Sequence, residues 1–307
     1  MQDRRILVTG GAGFIGSNLA NTLAEKNDVV AVDNEYLGTA GNLDSSVRFK
    51  NQSVTDTELP TDVDIVFHLA ALSSYRMQES TPARGARTSA EGFTNVVEQA
   101  RTDGCETVVY ASSSSVYQDQ ASTQTSEDAP VAADTAYEAS KLSQERYAEY
   151  FSTHYGMSLA GMRCFSVYQG YGGNEKHKDE YANVVAQFAD DIAHGRQPTV
   201  YGDGTQTRDF THVEDIVRGM ILAAEHGLDG IYNLGTGEAY AFNTIVELLN
   251  ETLERSVEPQ YVENPIPESV YVTDTCADPS KMHEATGWDA QISFEEGLRR
   301  VCDPYLD

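Results

Sequence analysis

Short apolar runs alternate with amphipathic stretches over the first half of the chain. Arg5-Ile6-Leu7-Val8-Thr9 is apolar without alternation and stops at glycine, which predicts a strand buried on both faces. Ile15, Leu19 and Leu23 then recur at helical spacing. Asp28-Val29-Val30-Ala31-Val32 predicts a second strand, closed by Asp33-Asn34. Val47-Arg48-Phe49 and Asp64 to Leu69 predict two more. A helix is expected over about 83–102, with Phe93, Val96 and Val97 as its apolar markers, and a strand over 106–111. Asp134 or Thr135 can cap the next helix. Leu159 to Cys164 reads as the strand after it. Strand and helix in regular alternation predict an α/β fold built on a doubly wound parallel sheet.

After Phe165 the texture changes. Residues 170–178, Gly-Tyr-Gly-Gly-Asn-Glu-Lys-His-Lys, are glycine-rich and charged and read as a mobile loop. Lys176, His177 and Lys178 there are open to two readings, an anion contact or a solvated loop. Helices are expected over about 181–194, 213–225, 244–253, 280–286 and 294–301, and a strand over 231–234. The segments at 213–225 and 231–234 are expected to return to the first domain. Those at 244–253, 280–286 and 294–301 are expected to build a smaller lobe. The chain shows no internal repeat and no low-complexity tract.

Three local patterns carry chemistry. Gly10, Gly13 and Gly16 lie between the first strand and the first helix, where glycines let the backbone approach a pyrophosphate seated on a helix N-terminus. Asp33 ends the second strand about 20 residues later, where a carboxylate accepts ribose hydroxyls and repels a 2′-phosphate; this favours NAD over NADP. Tyr137 and Lys141 are four apart on one helix and share a face. An ammonium beside a phenol favours the phenolate, and the hydroxyls of Ser112 to Ser115 can hold an alcohol. With a hydride carrier, this set interconverts alcohol and ketone. His68 reads as a packed side chain, followed by the small Leu69-Ala70-Ala71 over which a cofactor can lie.

Composition narrows the partners. Of 307 residues, 48 are Asp or Glu and 21 Lys or Arg, a net charge of -27. No basic stripe exists to neutralise phosphates, so a nucleic-acid partner is not expected. Two readings of the charge stand: salt adaptation, or an ordinary acidic enzyme. No apolar run reaches 18 residues and no signal-like start is seen, so a cytoplasmic protein without a membrane partner is expected. Cys105, Cys164, Cys276 and Cys302 stand singly, which predicts neither a metal site nor a disulfide framework.

Together these motifs resemble the extended short-chain dehydrogenases/reductases, specifically the nucleotide-sugar epimerase/dehydratase group, nearly end to end. The carriers are Gly10 to Gly16, Asp33-Asn34, His68 to Ala71, Ser112 to Tyr117, Tyr137 with Lys141, Arg163 to Tyr168, Tyr201 to Phe210 and Ala277-Asp278. The archaeal form of the UDP-glucose 4-epimerases is the most similar branch. The resemblance implies a Rossmann domain over 1–165 with 212–240. A smaller α/β nucleotide-sugar lobe would cover 166–211 with 241–307.

The resemblance implies Ser113, Tyr137 and Lys141 as catalytic residues and a tightly bound NAD. That NAD would touch Gly10, Gly13, Phe14, Ile15 and Gly16, then Asp33, Asn34, Ser53 and Val54. Further contacts would come from Leu69, Ala70, Ala71, Ser73 and Thr88, and from Ser112, Tyr137, Lys141 and Phe165. A UDP-sugar would touch Ser113, Ser115, Tyr137 and Ser166, then Asn183, Val184, Tyr201, Arg208 and Thr275, with Arg208 facing its diphosphate. Thr275, three before Asp278, falls where a side chain borders the sugar's C2 substituent; a small one admits an N-acetyl group.

The chain departs from the group at Ser53, Ser73, Thr88 or Ser89, and Ser166, and lacks a second arginine near 268–271. Ser114-Ser115 stand where a dehydratase or decarboxylase carries acids, so 4-epimerisation is the expected reaction. Other nucleotide-sugar epimerases, a reductase, and a non-catalytic dinucleotide sensor are the alternatives. A homodimer is implied through the helices near 83–102 and 135–155, where Val96, Val97, Leu142, Tyr147 and Phe151 exceed one face's need.

Overall fold

The computed structural model describes residues 1–105, 107–117 and 124–306. Strands β1 (Arg5–Thr9), β2 (Asp28–Asp33), β3 (Arg48–Asn51), β4 (Ile65–His68), β5 (Thr107–Ser113) and β6 (Ser158–Cys164) join one parallel sheet. Two short pairs lie outside it: β7 (Thr199–Tyr201) with β11 (Gln260–Val262), and β8 (Thr207–Arg208) with β10 (Tyr240–Ala241). The seventh strand of the main sheet is β9 (Gly230–Leu234), and the order is β3-β2-β1-β4-β5-β6-β9. The order reverses between β1 and β4, so a crevice opens at their carboxyl ends.

The unbroken apolar runs are explained by burial on both faces. Ile6 and Val8 enter one core layer and Leu7 the other; Val29 and Ala31 are separated from Val30 and Val32 in the same way. The first layer is covered by α1 (Phe14–Ala24) and by Val213 to Ala224 of a later helix. The second is covered by Phe93, Val96, Val97 and Phe151. Val96, Val97 and Phe151 are therefore spent on the chain's own core, which corrects their use as spare interface residues.

The expected helix over 83–102 is segmented. The structure has α2 (Tyr75–Glu79), α3 (Pro82–Ala86), a π-turn at Arg87–Glu91, and α4 (Gly92–Thr102). Pro82 takes the first turn of α3, where its missing N–H costs nothing. Helix α5 (Ala136–Tyr155) starts at a capping box: Thr135 Oγ1 accepts from Glu138 N, and Glu138 Oε2 accepts from Thr135 N. Glu106, expected to open β5, lies outside the described residues.

In the second half, α6 (Val184–Ala193) starts three residues later than expected, because Asn183 caps it and 176–181 form a 3₁₀ turn. Helix α7 (Val213–Glu225) has the expected bounds. Helices α8 (Phe242–Thr252) and α10 (Phe294–Cys302) pack with α6 around Phe188, Phe210, Ile245, Leu249 and Leu298, a core separate from the sheet's. Helix α9 (Ser280–Thr286), expected in that lobe, packs instead against β9. Met282, with Trp288 just beyond the helix, joins Ile216 and Met220 of α7. None of the described helices is long and apolar enough to cross a membrane.

Candidate active site

A cavity of about 530 Å³ opens at the carboxyl ends of the sheet strands and runs to the smaller lobe. Its first wall is the β1–α1 turn. Gly10 sits at φ +66°, and a Cβ on it would meet Ala70 N at 2.6 Å; one on Gly16 would meet Gly10 O at 2.1 Å. Only glycine lets turn, helix and β4 end converge this closely. Gly13 precedes α1 with no side-chain cap, so the first N–H groups of the helix are left for a ligand. Asp33 closes this wall: its carboxylate accepts from Ala12 N at 3.2 Å and Glu35 N at 2.8 Å. Burial raises its pKa, against those two hydrogen bonds.

These features fit a dinucleotide: an uncapped helix start for its diphosphate, and a strand-end carboxylate for its ribose. Of the expected cofactor contacts, every one lines the cavity except Phe165. Phe165 is buried behind the wall, stacked on Tyr117 and touching Ala277. Thr88 reaches the cavity from the π-turn, a local rewinding that turns its side chain away from ideal helical register.

The second wall carries the residues expected to move protons, Ser113, Tyr137 and Lys141. Ser113 is the last residue of β5, and its Oγ lies 3.1 Å from Ser115 Oγ. Tyr137 stands opposite on α5; burial pushes its phenol up to about 12, and the Ser113 hydroxyl partly offsets this. Lys141 is buried one turn on, where burial brings its ammonium down to about 8. Its Nζ donates to Ala111 O at 2.6 Å and lies 5.9 Å from the Tyr137 ring centroid. The expected lowering of the phenol by Lys141 is not seen here: the ammonium is held on the β5 backbone and burial dominates.

Beneath these groups lies a buried network. Glu145 accepts from Ser112 Oγ at 2.6 Å, and from Arg163 Nε at 2.9 Å and Nη2 at 2.7 Å. It ties α5 to β5 and β6. His68 is packed as expected: its Nδ1 lies 2.9 Å from Thr9 Oγ1, its ring meets Phe93 edge-on, and burial brings its pKa to about 3, leaving it neutral.

On the substrate side, Ser115, Ser166, Asn183, Arg208 and Thr275 line the cavity. Val184 and Tyr201 do not. Val184 packs against the core of the smaller lobe, and Tyr201 is half-buried in β7. Asn183 spends its side chain on local geometry, capping Val185 N and donating to Ser166 O and Val167 O. Arg208 donates to the carbonyls of Thr207, Val272 and Thr273. Its guanidinium thus clamps the 271–275 segment that carries Thr275.

Several lining residues were not singled out from the sequence: Tyr36, Arg84, Tyr181 and Tyr271. Arg84 lies 3.5 Å over the Tyr36 ring. No local pattern marks that pair, which meets only after folding. Of the three residues left open between an anion contact and a solvated loop, His177 and Lys178 line the cavity and Lys176 is exposed outside it. Among the described residues no cluster could hold a metal ion.

A serine, a tyrosine and a lysine converging beside a dinucleotide cradle define an enzyme of the short-chain dehydrogenase/reductase class. The chain belongs to the NAD dependent epimerase/dehydratase family, whose sequence profile matches residues 6–235, and its cofactor is NAD. It is 31% identical over 305 residues to a putative UDP-glucose 4-epimerase of Methanocaldococcus jannaschii, covering 97% of each chain. It is equally 31% identical over 306 residues to UDP-glucuronic acid decarboxylase 6 of Arabidopsis thaliana, covering 96% of this chain and 86% of that one. Among solved structures, it superposes with a TM-score of 0.91 on the UDP-N-acetylglucosamine 4-epimerase of Methanobrevibacter ruminantium M1 in complex with UDP-N-acetylmuramic acid. That match has 28% identity and covers 99% and 98% of the two chains.

Proposed function

We propose that this nucleotide-sugar 4-epimerase acts on UDP-hexoses, interconverting UDP-glucose and UDP-galactose and also their N-acetylated counterparts. The observation that carries the choice of reaction is the wall around Ser113. Ser114 and Ser115 follow it, and the only carboxylates lining the cavity among the described residues are Asp33 and Glu138. Glu138 spends its Oε2 on the capping box and Asp33 belongs to the cofactor end. Dehydration or decarboxylation needs a further acid or base near the sugar, and none is free there. Tyr137 and Lys141 are both present, which disfavours a non-catalytic sensor.

In this reading Tyr137 takes the proton of the C4 hydroxyl and later returns it. Ser113 holds that hydroxyl and shortens the path of the proton. Lys141, fixed by Ala111 O, orients the cofactor ribose and places a positive charge near the phenol. NAD, held by the β1–α1 turn, Asp33 and Lys141, would supply reversible hydride transfer at C4, with the keto sugar turning over between its loss and its return. NMR of products from a panel of UDP-sugars tests the reading. Wild type should epimerise at C4 without net NADH, and Tyr137→Phe should abolish turnover; wild-type rates in that variant would refute the assignment.

We also propose the two-fold dimer, now on α5's exposed Tyr147 and Tyr150 and on Tyr155 at its end rather than on core residues. A monomer mass by light scattering in high salt would rule it out.

A further inference from the structure

The segment 169–183, which contains the stretch 170–178 expected as a mobile loop, is built into the molecule by its own polar groups. Glu175 is fully buried, and its carboxylate accepts from Gln169 N and Gly170 N at 2.9 Å and from Asn183 N at 2.6 Å. One acidic side chain thus gathers both ends of the segment. The segment is then fastened to the glycine-rich half. Gln169 and Asn18 exchange a reciprocal pair of amide hydrogen bonds at 2.9 and 3.1 Å. Asn174 Nδ2 donates to Ser17 Oγ at 3.0 Å and to Asn42 O at 3.2 Å. Asn42 Nδ2 lies 2.9 Å from His177 Nδ1. Ser17 and Asn18 lie in the first turns of α1, so the segment crosses the cavity mouth beside that helix start.

What this places there is a cation. Lys178 lines the cavity with Phe14, the first residue of α1, and its Nζ lies 5.5 Å from the Phe14 ring centroid. Among the described residues the ammonium makes no hydrogen bond and no ion pair beyond that ring contact. In a chain with more than two acids per base, this half-buried lysine still makes no direct ion pair, and the buried carboxylate of Glu175 acts on it only through space. Burial lowers its pKa, and the Glu175 carboxylate offsets this only in part. The next residue, Asp179, holds φ +45°, a conformation that side chains other than glycine's adopt at a cost.

We infer that Lys178 supplies the positive charge that clamps the NAD diphosphate against the start of α1, with segment 169–183 as the strap that carries it. The inference rests on the reading that α1 receives that diphosphate. An ammonium adds a charge-assisted bond that backbone N–H groups and the helix dipole cannot match alone. Asn183, at the far end of the strap, also lines the cavity and is tied to Glu175.

The test is calorimetric titration of nucleotide-free full-length protein with NAD, ADP and adenosine. Lys178→Ala should raise the Kd for NAD and for ADP about 10- to 100-fold, the loss of one enclosed charge-assisted contact, and leave adenosine unchanged. Lys178→Arg should restore binding to within about threefold, because a guanidinium also pairs with phosphate. Lys176→Ala removes the same formal charge from an exposed neighbour outside the cavity and should bind NAD as wild type does. Melting temperatures of the unliganded variants check that each is folded. Wild-type NAD affinity in Lys178→Ala, or an equal loss for adenosine, overturns the role of Lys178. Failure of the wild type to bind NAD or ADP at all overturns the cofactor reading beneath it.

Discussion

The Glu145–Arg163 pair under the catalytic wall makes a prediction whose size can be worked from its geometry. Both side chains are nearly sealed, at 7% and 5% exposure, and are joined through two guanidinium nitrogens. Arg163 also lies 4.5 Å over the Tyr117 ring, and Ser112 Oγ donates to the same carboxylate. Glu145→Gln keeps an acceptor for Ser112 but leaves a buried guanidinium without its counter-charge, a loss of about 3–5 kcal/mol. Unfolding 307 residues at about 2.1 cal/mol/K each gives roughly 0.6 kcal/mol/K, so Tm should fall by about 5–8 °C. Arg163→Met should cost a similar amount by stranding the carboxylate. The informative variant is the double, Glu145→Gln with Arg163→Met. It leaves no buried charge, so it should lie well above the sum of the single losses and above Glu145→Gln alone. Scanning calorimetry in molar salt measures all four proteins. Additive losses, or a Glu145→Gln shift below about 1 °C, would refute the view that an uncompensated charge is what each single variant exposes.

Two further outcomes follow from charge and shape. With 48 acids against 21 bases, Tm and activity should rise steeply from low to molar salt as screening relieves repulsion; a flat Tm would leave the ordinary acidic enzyme standing. Thr275 borders the cavity with a small side chain whose Oγ1 has no hydrogen-bond partner, so the wild type should turn over UDP-GlcNAc as well as UDP-glucose. Thr275→Tyr should cut kcat/KM for the N-acetylated sugar by about 5- to 150-fold through overpacking of about 1–3 kcal/mol, and spare UDP-glucose. No turnover of UDP-GlcNAc by the wild type would sink that reading.

The parts of this fold that could be read from residues alone are those whose cause is local. β1 and β2 announce themselves because burial on both faces needs unbroken apolar runs. The α5 start is visible because Thr135 and Glu138 form a box within four residues. The Gly10 turn is visible because its backbone conformation excludes other side chains. What was missed has its cause elsewhere in the chain. Helix α9 is amphipathic in either half, and only the meeting of Met282 with Met220 assigns it to the sheet. Val96, Val97 and Phe151 look surplus until the sheet's second layer claims them.

The two halves of the site differ for the same reason. The cofactor end is written in backbone: a turn, an uncapped helix and a strand-end carboxylate, each fixed by a few neighbouring residues. The substrate end is written in long-range polar closure. Arg208 reaches its wall only by binding carbonyls 64 and 65 residues away, and Asn183 only by holding Ser166 and Val167. An Arg or Asn of that kind has no local signature, because its partners are main-chain atoms that every residue carries. Lys178 shows the same limit from the other side: its sequence neighbours mark it as charged, but Glu175, Asn42 and Phe14 decide where the charge stands. On the proposed reading, segments 169–183 and 266–275 border the sugar, and their positions depend on each such clamp. Loss of one clamp should move specificity before it moves the fold.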